Sequence, residues 1–315
     1  MDTVLLERFE ADRSRLASLA YRLLGSAADA EDVVQDAFLR LQAADAEHIR
    51  VPEAWLTTIV TNLSLDRLRS AQARRERAVG DWLPEPLLEG DPMLGPADTA
   101  EQRESVTLAV LTLMERLSPV ERAVYVLREA FSHSHAEIAE ILDITESASQ
   151  QHAHRARRHV SSGHRAAEID RDSARRVVEA FVDAAASGRT ERLVALLTDD
   201  ATGVSDGAGL SEKLTRISSP ERLASTLRAA FKPTPAKRRL VGGAPSIHAG
   251  MVNRAPAVIA AFDDRVVGMV VLDVREGRIA VMRGMAFPGR LGRVNEAWAR
   301  RERGRPLIES WGPEA

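Results

Sequence analysis

The stretch AEIAEILDITESASQQHAHRARRHV, residues 136–160, predicts two short helices separated by a three-residue break. Its first part repeats apolar residues at a spacing of about 3.6, and residues 143–145 interrupt that rhythm. Thr145 is a favourable N-cap for the second helix, and Glu146 lies in its first turn, where the helix dipole stabilises an acid. The pattern is typical of a helix-turn-helix.

The second of these helices has two unlike faces. Ala153, Ala156 and Val160 form a small apolar back, which Ser149 interrupts. The opposite face, or front, carries glutamines and arginines. It suits the major groove, because Gln pairs bidentately with adenine and Arg with guanine or phosphate. A solvated charged helix at the end of a domain is the alternative. We expect DNA contacts from the whole front except Arg157, namely from Ser147, Gln150, Gln151, His154, Arg155 and Arg158.

Composition limits the class of protein. At 315 residues the chain is long enough for two or three domains, and its lack of cysteine excludes disulfides and thiolate metal sites. Neither a signal peptide nor an apolar run of about 18 residues is present, so we expect a cytoplasmic protein. His133 and His135 have a metal-like spacing, but no third ligand is evident, and we expect no metal and no cofactor.

An acidic stripe precedes this region. Asp29, Asp32 and Asp36 recur at i, i+3 and i+7 beside an apolar helix face, and Ser26 is a plausible cap for that helix. The net charge is only −3, so charge clusters of this kind indicate local contacts rather than general polyelectrolyte behaviour. The stripe is either a docking surface or an ordinary solvated face.

A later helix places Trp55, Asn62, Asp66 and Arg69 within a narrow arc. An aromatic ring, an amide and arginines on one stripe could hold unstacked bases and phosphates. The alternative is that Trp55 belongs to the core and that Asp66 pairs with Arg69 or Arg67.

Residues 80–96, GDWLPEPLLEGDPMLGP, are rich in proline and glycine and predict a linker. The apolar Trp82-Leu83-Pro84 is unusual in a solvated spacer and predicts docking onto another part of the protein. Further along, Ser118-Pro119-Val120-Glu121 is a strong helix start, with Ser at the N-cap, Pro at N1 and Glu at N3.

Several motifs in order resemble an extracytoplasmic-function (ECF) sigma factor: AYRLLGSAADAEDVVQDAFLRL, AWLTTIVTNLSLDRLRS, GDWLPEPL, LSPVERAVYVLREAF and the helix-turn-helix. The resemblance implies two all-α domains, sigma region 2 over residues 1–79 and region 4 over 101–165, joined by a linker over 80–100. It implies a protein that binds core RNA polymerase and directs promoter-specific initiation of transcription.

The resemblance also implies residue roles. The residues that would bind core polymerase are Asp29, Glu31, Asp32, Gln35 and Asp36. The residues that would open and hold the −10 element are Asn62, Asp66, Arg67 and Arg69. The helix-turn-helix would read the −35 element, but Asp143, Ser149 and Gln150 replace the Gly, Val and Arg usual in the family, so a −35 sequence preference is not carried over.

The remaining chain predicts an α+β cone over residues 170–292, followed by a tail over 293–315. Helices are expected first, and then an antiparallel meander of strands at 257–262, 265–274 and 278–285. This part resembles the NTF2/SnoaL-like domain fused to one group of sigma factors. Two short motifs of that group, with the linker, imply an interdomain regulatory contact involving Trp82, Leu83, Pro84, Asp206, Gly207, Gly209, Pro220, Arg222 and Leu223.

Other functions for the cone stay open. The same fold holds catalytic pockets, for which Asp206, His248 and Asp273 are the available polar residues, and it could bind a small ligand without turnover. A conventional repressor would not need the region 2 motifs. We expect the cone to regulate the sigma domains, as an activator or as an inhibitor, rather than to act as an enzyme.

Overall fold

In a computed structural model, the residues described are 3–45, 49–75, 82–95, 99–161, 169–207, 214–302 and 304–311. The chain divides into two units, one formed by residues 1–79 and 90–164 and the other by residues 80–89 and 165–315. Among the described helices, none is long and apolar enough to cross a membrane.

Three helices begin the first unit: α1 (Thr3–Leu24), α2 (Ala27–Ala43) and α3 (Pro52–Arg75). The side chain of Ser26 accepts a hydrogen bond from the backbone of Asp29, so it caps α2 as predicted. The three helices pack on one another, and the rings of Phe9 and Phe38 meet at 4.9 Å between centroids. This arrangement fixes the face that α2 and α3 present outward.

The rest of the first unit is also helical: a 3-10 turn (Pro92–Leu94), α4 (Ala100–Glu104), α5 (Leu108–Met114), α6 (Pro119–Glu129), α7 (His135–Leu142) and α8 (Glu146–Ser161). The predicted start of α6 is confirmed, because Ser118 and Glu121 form a reciprocal capping box. The helix-turn-helix is confirmed in α7 and α8, where Asp143 takes the left-handed conformation, with φ of 52°, that ends α7.

Arg22 joins the two halves of this unit. Its side chain is fully buried, and its guanidinium donates hydrogen bonds to Ser105 Oγ at 2.9 Å and to the carbonyl of Leu94 at 3.0 Å. The same guanidinium lies 5.5 Å from the centre of the Phe131 ring. Since α6 also packs on α1 and α3, the predicted regions 2 and 4 lie together in one compact unit.

The second unit combines helices and a sheet. Its elements are α9 (Arg171–Ala186), α10 (Thr190–Val194), β1 (Leu197–Ser205), β2 (Thr215–Ile217), α11 (Pro220–Phe231), α12 (Pro235–Val241), β3 (Ser246–Val252), β4 (Ala255–Ala261), β5 (Val266–Arg275), β6 (Arg278–Met285) and α13 (Gly292–Arg300). The strand order is β2-β1-β6-β5-β4-β3. This is the α+β architecture expected of an NTF2/SnoaL-like cone.

The meander from β4 to β6 is antiparallel as predicted, but β1 pairs with β6 in parallel, so the sheet is mixed. Strand β3 was not among the strands predicted from the sequence. Its hairpin with β4 turns through Asn253 and Arg254, with φ of 47° and 64°. A two-residue turn with both φ values positive is usually marked by glycine, which is absent here.

One face of the sheet packs on α9, α10 and α11. Phe181, Leu193 and Leu223 meet sheet residues such as Val258 and Leu272 in this core. Alternation along the strands turns their neighbours to the other face. There the His248 ring meets that of Trp298 on α13 edge-on.

The predicted C-terminal tail contains structure of its own. It includes α13, and Ile308 pairs with Ile247 on the edge of β3. The ring nitrogen of Trp311 donates to the carbonyl of Phe231 at 2.7 Å. The tail thus covers part of a strand edge that would otherwise be open.

Candidate nucleic-acid and polymerase interfaces

Helix α8 presents the two faces that the sequence indicates. Ser149, Ala153, Ala156 and Val160 are buried. The predicted DNA-contacting residues are all exposed: Ser147, Gln150, Gln151, His154, Arg155 and Arg158. The unusual Ser149 is accommodated because its hydroxyl lies 2.9 Å from Nδ1 of His135 on α7, which satisfies a buried polar group.

Two arginines of α8 are held against α6. Arg155 Nε donates to the Glu121 carboxylate at 2.7 Å, and Arg157 lies 2.6 Å from the Glu129 carboxylate. Burial acts to raise the pKa of Glu121, but hydrogen bonds from Arg155 and Ser118 outweigh it and the pKa is lowered. The two ion pairs fix the orientation of α8, so its exposed amides lie on a rigid frame.

The acidic stripe of α2 surrounds a cation from α3. Arg67 lies 3.1 Å from Asp29 and 3.3 Å from both Asp32 and Asp36. Burial lowers the pKa of Arg67, but the three carboxylates outweigh it and the pKa is raised. Glu31 and Gln35 are exposed on the same helix. The stripe is therefore an ordered surface, and it holds Arg67, which the sequence assigns to the −10 element.

The other residues predicted for the −10 element share a stripe on α3. Asn62, Asp66 and Arg69 are exposed, while Trp55 is partly buried. Arg69 pairs with Asp66 at 3.3 Å, one of the two pairings that the sequence left open. The structure therefore brings Asn62, Asp66 and Arg69 together and turns Arg67 away toward α2.

The linker docks on the C-terminal unit. Leu83, Leu87 and Leu88 are at most 1% exposed. The backbone N–H of Leu87 donates to Asn253 Oδ1 at 2.8 Å, and the Asn253 N–H donates to the Leu87 carbonyl at 2.9 Å. The N–H of Glu89 donates to the carbonyl of Met251, so this segment extends the sheet beyond β3. Pro84 is also buried, and Trp82 is half-buried.

A second attachment reaches the linker through Arg290. Asp206 is buried and accepts hydrogen bonds from the backbone of Ala286 at 2.9 Å and Phe287 at 3.2 Å. Arg290 Nε lies 3.5 Å from the same carboxylate, and another of its nitrogens donates to the carbonyl of Leu83. Gly207 follows with φ of 58°, and Gly209 lies outside the described residues.

The second motif has a different position. Pro220 begins α11, Leu223 is buried in the core between the helices and the sheet, and Arg222 is exposed. A Cβ on Gly203 would lie 2.5 Å from the Leu223 side chain, so the two residues are closely packed. Among the described contacts, those of Leu223 order the cone itself, whereas those of Asp206 lead toward the linker.

The candidate catalytic residues have separate partners. Asp273 forms a buried pair with Arg283 at 2.5 Å, and Asp206 is engaged as described. His248 Nε2 lies 2.8 Å from the Ser246 hydroxyl, which donates to the carbonyl of Ala261. Each of the three residues thus has polar partners of its own.

Comparison with known proteins places these features in a family. Residues 8–74 match the model of sigma-70 region 2, and residues 107–160 match that of sigma-70 region 4. The probable ECF RNA polymerase sigma factor SigI of Mycobacterium tuberculosis is 31% identical over 288 residues, 90% of this chain and 93% of the relative. The chain belongs to the ECF RNA polymerase sigma factors.

Two further comparisons concern SigJ of the same organism. The ECF RNA polymerase sigma factor SigJ is 42% identical over 205 residues, and the match spans 65% of this chain and 65% of that relative. A crystal structure of SigJ matches with a TM-score of 0.68 and 30% identity, over 91% of this chain and 98% of that one. The sigma factor thus acts in transcription initiation, and its family binds core polymerase and promoter DNA and is not a family of enzymes.

Proposed function

We propose that the C-terminal domain of this sigma factor holds the protein in a closed form by binding the chain that joins regions 2 and 4. Promoter-directed transcription then requires release of that chain. One observation carries the proposal. Leu83, Leu87 and Leu88 of the linker are buried, and they belong to the same compact unit as the C-terminal domain rather than to that of regions 2 and 4.

The need for release follows from distance. Elements named for positions −10 and −35 are about 25 base pairs apart, or about 85 Å along B-DNA at about 3.4 Å per base pair. Regions 2 and 4 touch through Arg22, whose Nε lies 2.9 Å from Ser105. A chain fully extended over residues 76–99 spans about 80 Å. The same chain cannot extend while its central residues are bound to the sheet edge.

In the open form we assign three surfaces by exposure and charge. Core polymerase binds the α2 surface, formed by Asp29, Glu31, Asp32, Gln35 and Asp36. The −10 element contacts α3 through Asn62, Asp66, Arg67 and Arg69. The −35 element contacts α8 through Ser147, Gln150, Gln151, His154, Arg155 and Arg158. These events take place in the cytoplasm, and a small ligand in the cone would act by shifting the same equilibrium.

The test is transcription in vitro from a cognate promoter by core polymerase with the full-length protein. Leu88→Asp places a charge at a buried site and releases the linker, so output rises, by about tenfold if the closed form dominates. Leu88→Met keeps an apolar side chain of similar volume and leaves output near that of the wild type. Lower output from Leu88→Asp, with native circular dichroism and normal core binding, overturns the inhibitory role.

A further inference from the structure

A strongly basic surface lies on the C-terminal domain, on α11 and α12. Residues 214–241 contain seven basic side chains and one acidic side chain, in a chain with 43 basic and 46 acidic residues. The acid, Glu221, accepts a hydrogen bond from Ser219 rather than from a basic side chain. One carboxylate therefore stands against seven basic side chains within this segment.

The local structure gathers that charge in one place. Lys237, in the first turn of α12, donates hydrogen bonds to the carbonyls of Ala230 and Lys232 at 3.2 Å and also to that of Ala229. These are the last carbonyls of α11, so Lys237 ties α12 to the end of α11. Burial, and then the nearby charge of Lys232, lower the pKa of Lys237.

Four other side chains make up the α11–α12 basic surface: Arg228, Lys232, Arg238 and Arg239. Arg228 and Lys232 are one helical turn apart, and both are exposed, as is Arg239. In the described part of the chain, none of the four has a carboxylate within salt-bridge distance. The β4–β5 turn contains two acids, Asp263 and Asp264. The next residue, Arg265, lies near Gly242, which follows α12.

Three other arginines of the same domain have carboxylate partners. Arg175 pairs with Glu179 at 2.7 Å, Arg278 pairs with Asp199 at 3.2 Å, and Arg275 pairs with Asp200. Mutual repulsion of unpaired cations disfavours the folded state, so a surface that keeps four of them is explained by an anionic partner.

We propose that the α11–α12 basic surface binds the phosphate backbone of duplex DNA next to the promoter element that α8 reads. The domain is covalently joined to α8 through residues 162–170, so promoter binding by α8 raises the effective concentration of duplex DNA around α11 and α12. Residues 214–241 contain no Asn or Gln, and arginine and lysine without amide side chains suit phosphates rather than bases, so the contact adds affinity without sequence preference.

The experiment measures binding of the full-length protein to a fluorescein-labelled 40-base-pair duplex of arbitrary sequence, by anisotropy, across a series of KCl concentrations. The variant carries Arg228→Gln, Lys232→Gln and Arg239→Gln. Each lost phosphate contact lowers the salt slope by about one, so the slope falls by about 2 to 3, and affinity at low salt falls about tenfold or more.

The matched control carries Arg175→Gln, Arg275→Gln and Arg278→Gln, which remove the same charge from paired arginines of the same domain. Its slope stays within about 0.5 of the wild type. Equal losses in both variants, or no change in the first, overturn the proposal. Loss of core polymerase affinity with unchanged DNA binding assigns the surface to an acidic protein and also overturns it. These readouts are independent of whether the linker inhibits transcription.

Discussion

The Nε atom of Arg290 lies 3.5 Å from the carboxylate of Asp206, and the same guanidinium donates to the carbonyl of Leu83. Asp206 is itself fixed by two backbone N–H groups of the segment that follows β6. One side chain therefore connects a buried carboxylate of the cone to the chain between the two sigma regions. We therefore expect a change at the Asp206 loop to alter linker docking through this contact.

Arg290→Met tests that connection, since methionine keeps much of the length but none of the hydrogen bonds. We expect the Leu83 carbonyl and the Asp206 carboxylate to lose a partner, weakening linker docking by about 1–3 kcal/mol. Hydrogen exchange at the Leu87 and Glu89 amides should quicken. Arg290→Lys, which keeps the charge, should show a smaller change. Unchanged exchange in the methionine variant contradicts the connection.

Core binding depends on the acidic stripe of α2. Replacing Asp32 and Asp36 together by Arg reverses its charge, and we expect at least a tenfold loss of affinity for core polymerase, because each close charge pair at an interface contributes about 1–3 kcal/mol. Both sites are exposed, so the helix should stay folded. Titration of labelled protein with core polymerase measures the effect.

The control for this prediction reverses two exposed acids of α1, Glu7→Arg with Glu10→Arg, for the same change in net charge. Its affinity for core polymerase should remain near that of the wild type. If the two double variants lose affinity equally, the stripe is not the docking surface and only net charge matters.

Local signals in the sequence predicted most of the fold. Caps at Ser26, Ser118 and Thr145 act within three residues, and amphipathic spacing defined α1 to α3, so both are readable from short windows. Strand β3 was not predicted, because its turn uses Asn253 and Arg254 without the usual glycine. Parallel pairing of β1 with β6 was unreadable, since the two strands are far apart in the chain.

The sites divide in the same way. The exposed front of α8 follows from helical periodicity alone. Arg290 could not be found, because its contact with Leu83 spans 207 positions and neither residue carries a local motif for it. Arg67 shows a related limit, since its side chain reaches a different helix from the one on which it lies. Long-range partners of charged residues require the folded structure.

Recognition of the −35 element separates into base reading and phosphate contact. Gln150→Ala should relax base preference and cost about 1–3 kcal/mol against the cognate sequence alone. Arg158→Ala should weaken binding to every sequence and lower the salt slope by about one. Competition between cognate and scrambled duplexes distinguishes the two. If both variants lose affinity equally on all sequences, the exposed front of α8 does not read bases.

His133 gives the protein a dependence on pH. Burial lowers its pKa below the usual 6.5, Arg15 lowers it further, and Glu137 opposes them. The unfolded chain therefore binds a proton more readily, so wild-type stability falls as pH drops below about 6.5. His133→Gln removes this term. Urea midpoints at pH 7.5 and 5.5 should show the wild type losing more stability than the variant, and parallel losses contradict the assignment.

Asn253 tests whether linker docking and closure are one equilibrium. Asn253→Gly keeps the positive φ that the turn requires but removes the oxygen that accepts from the Leu87 N–H. Loss of this buried hydrogen bond, about 1–2 kcal/mol, should shift the ratio of open to closed protein about 5- to 30-fold.

The chain has no cysteine, so Glu10→Cys on α1 and Glu140→Cys on α7 accept a fluorescent dye pair without side reactions. Both positions are exposed, and both lie in the first unit, whereas Asn253 belongs to the second. We expect the glycine variant to populate a state of low energy transfer in single-molecule measurements and to give higher transcription than the wild type. High energy transfer in the glycine variant, with its linker amides exchanging freely, would show that regions 2 and 4 stay closed without the docked linker, held by the Arg22 contacts and by the packing of α6 on α1 and α3.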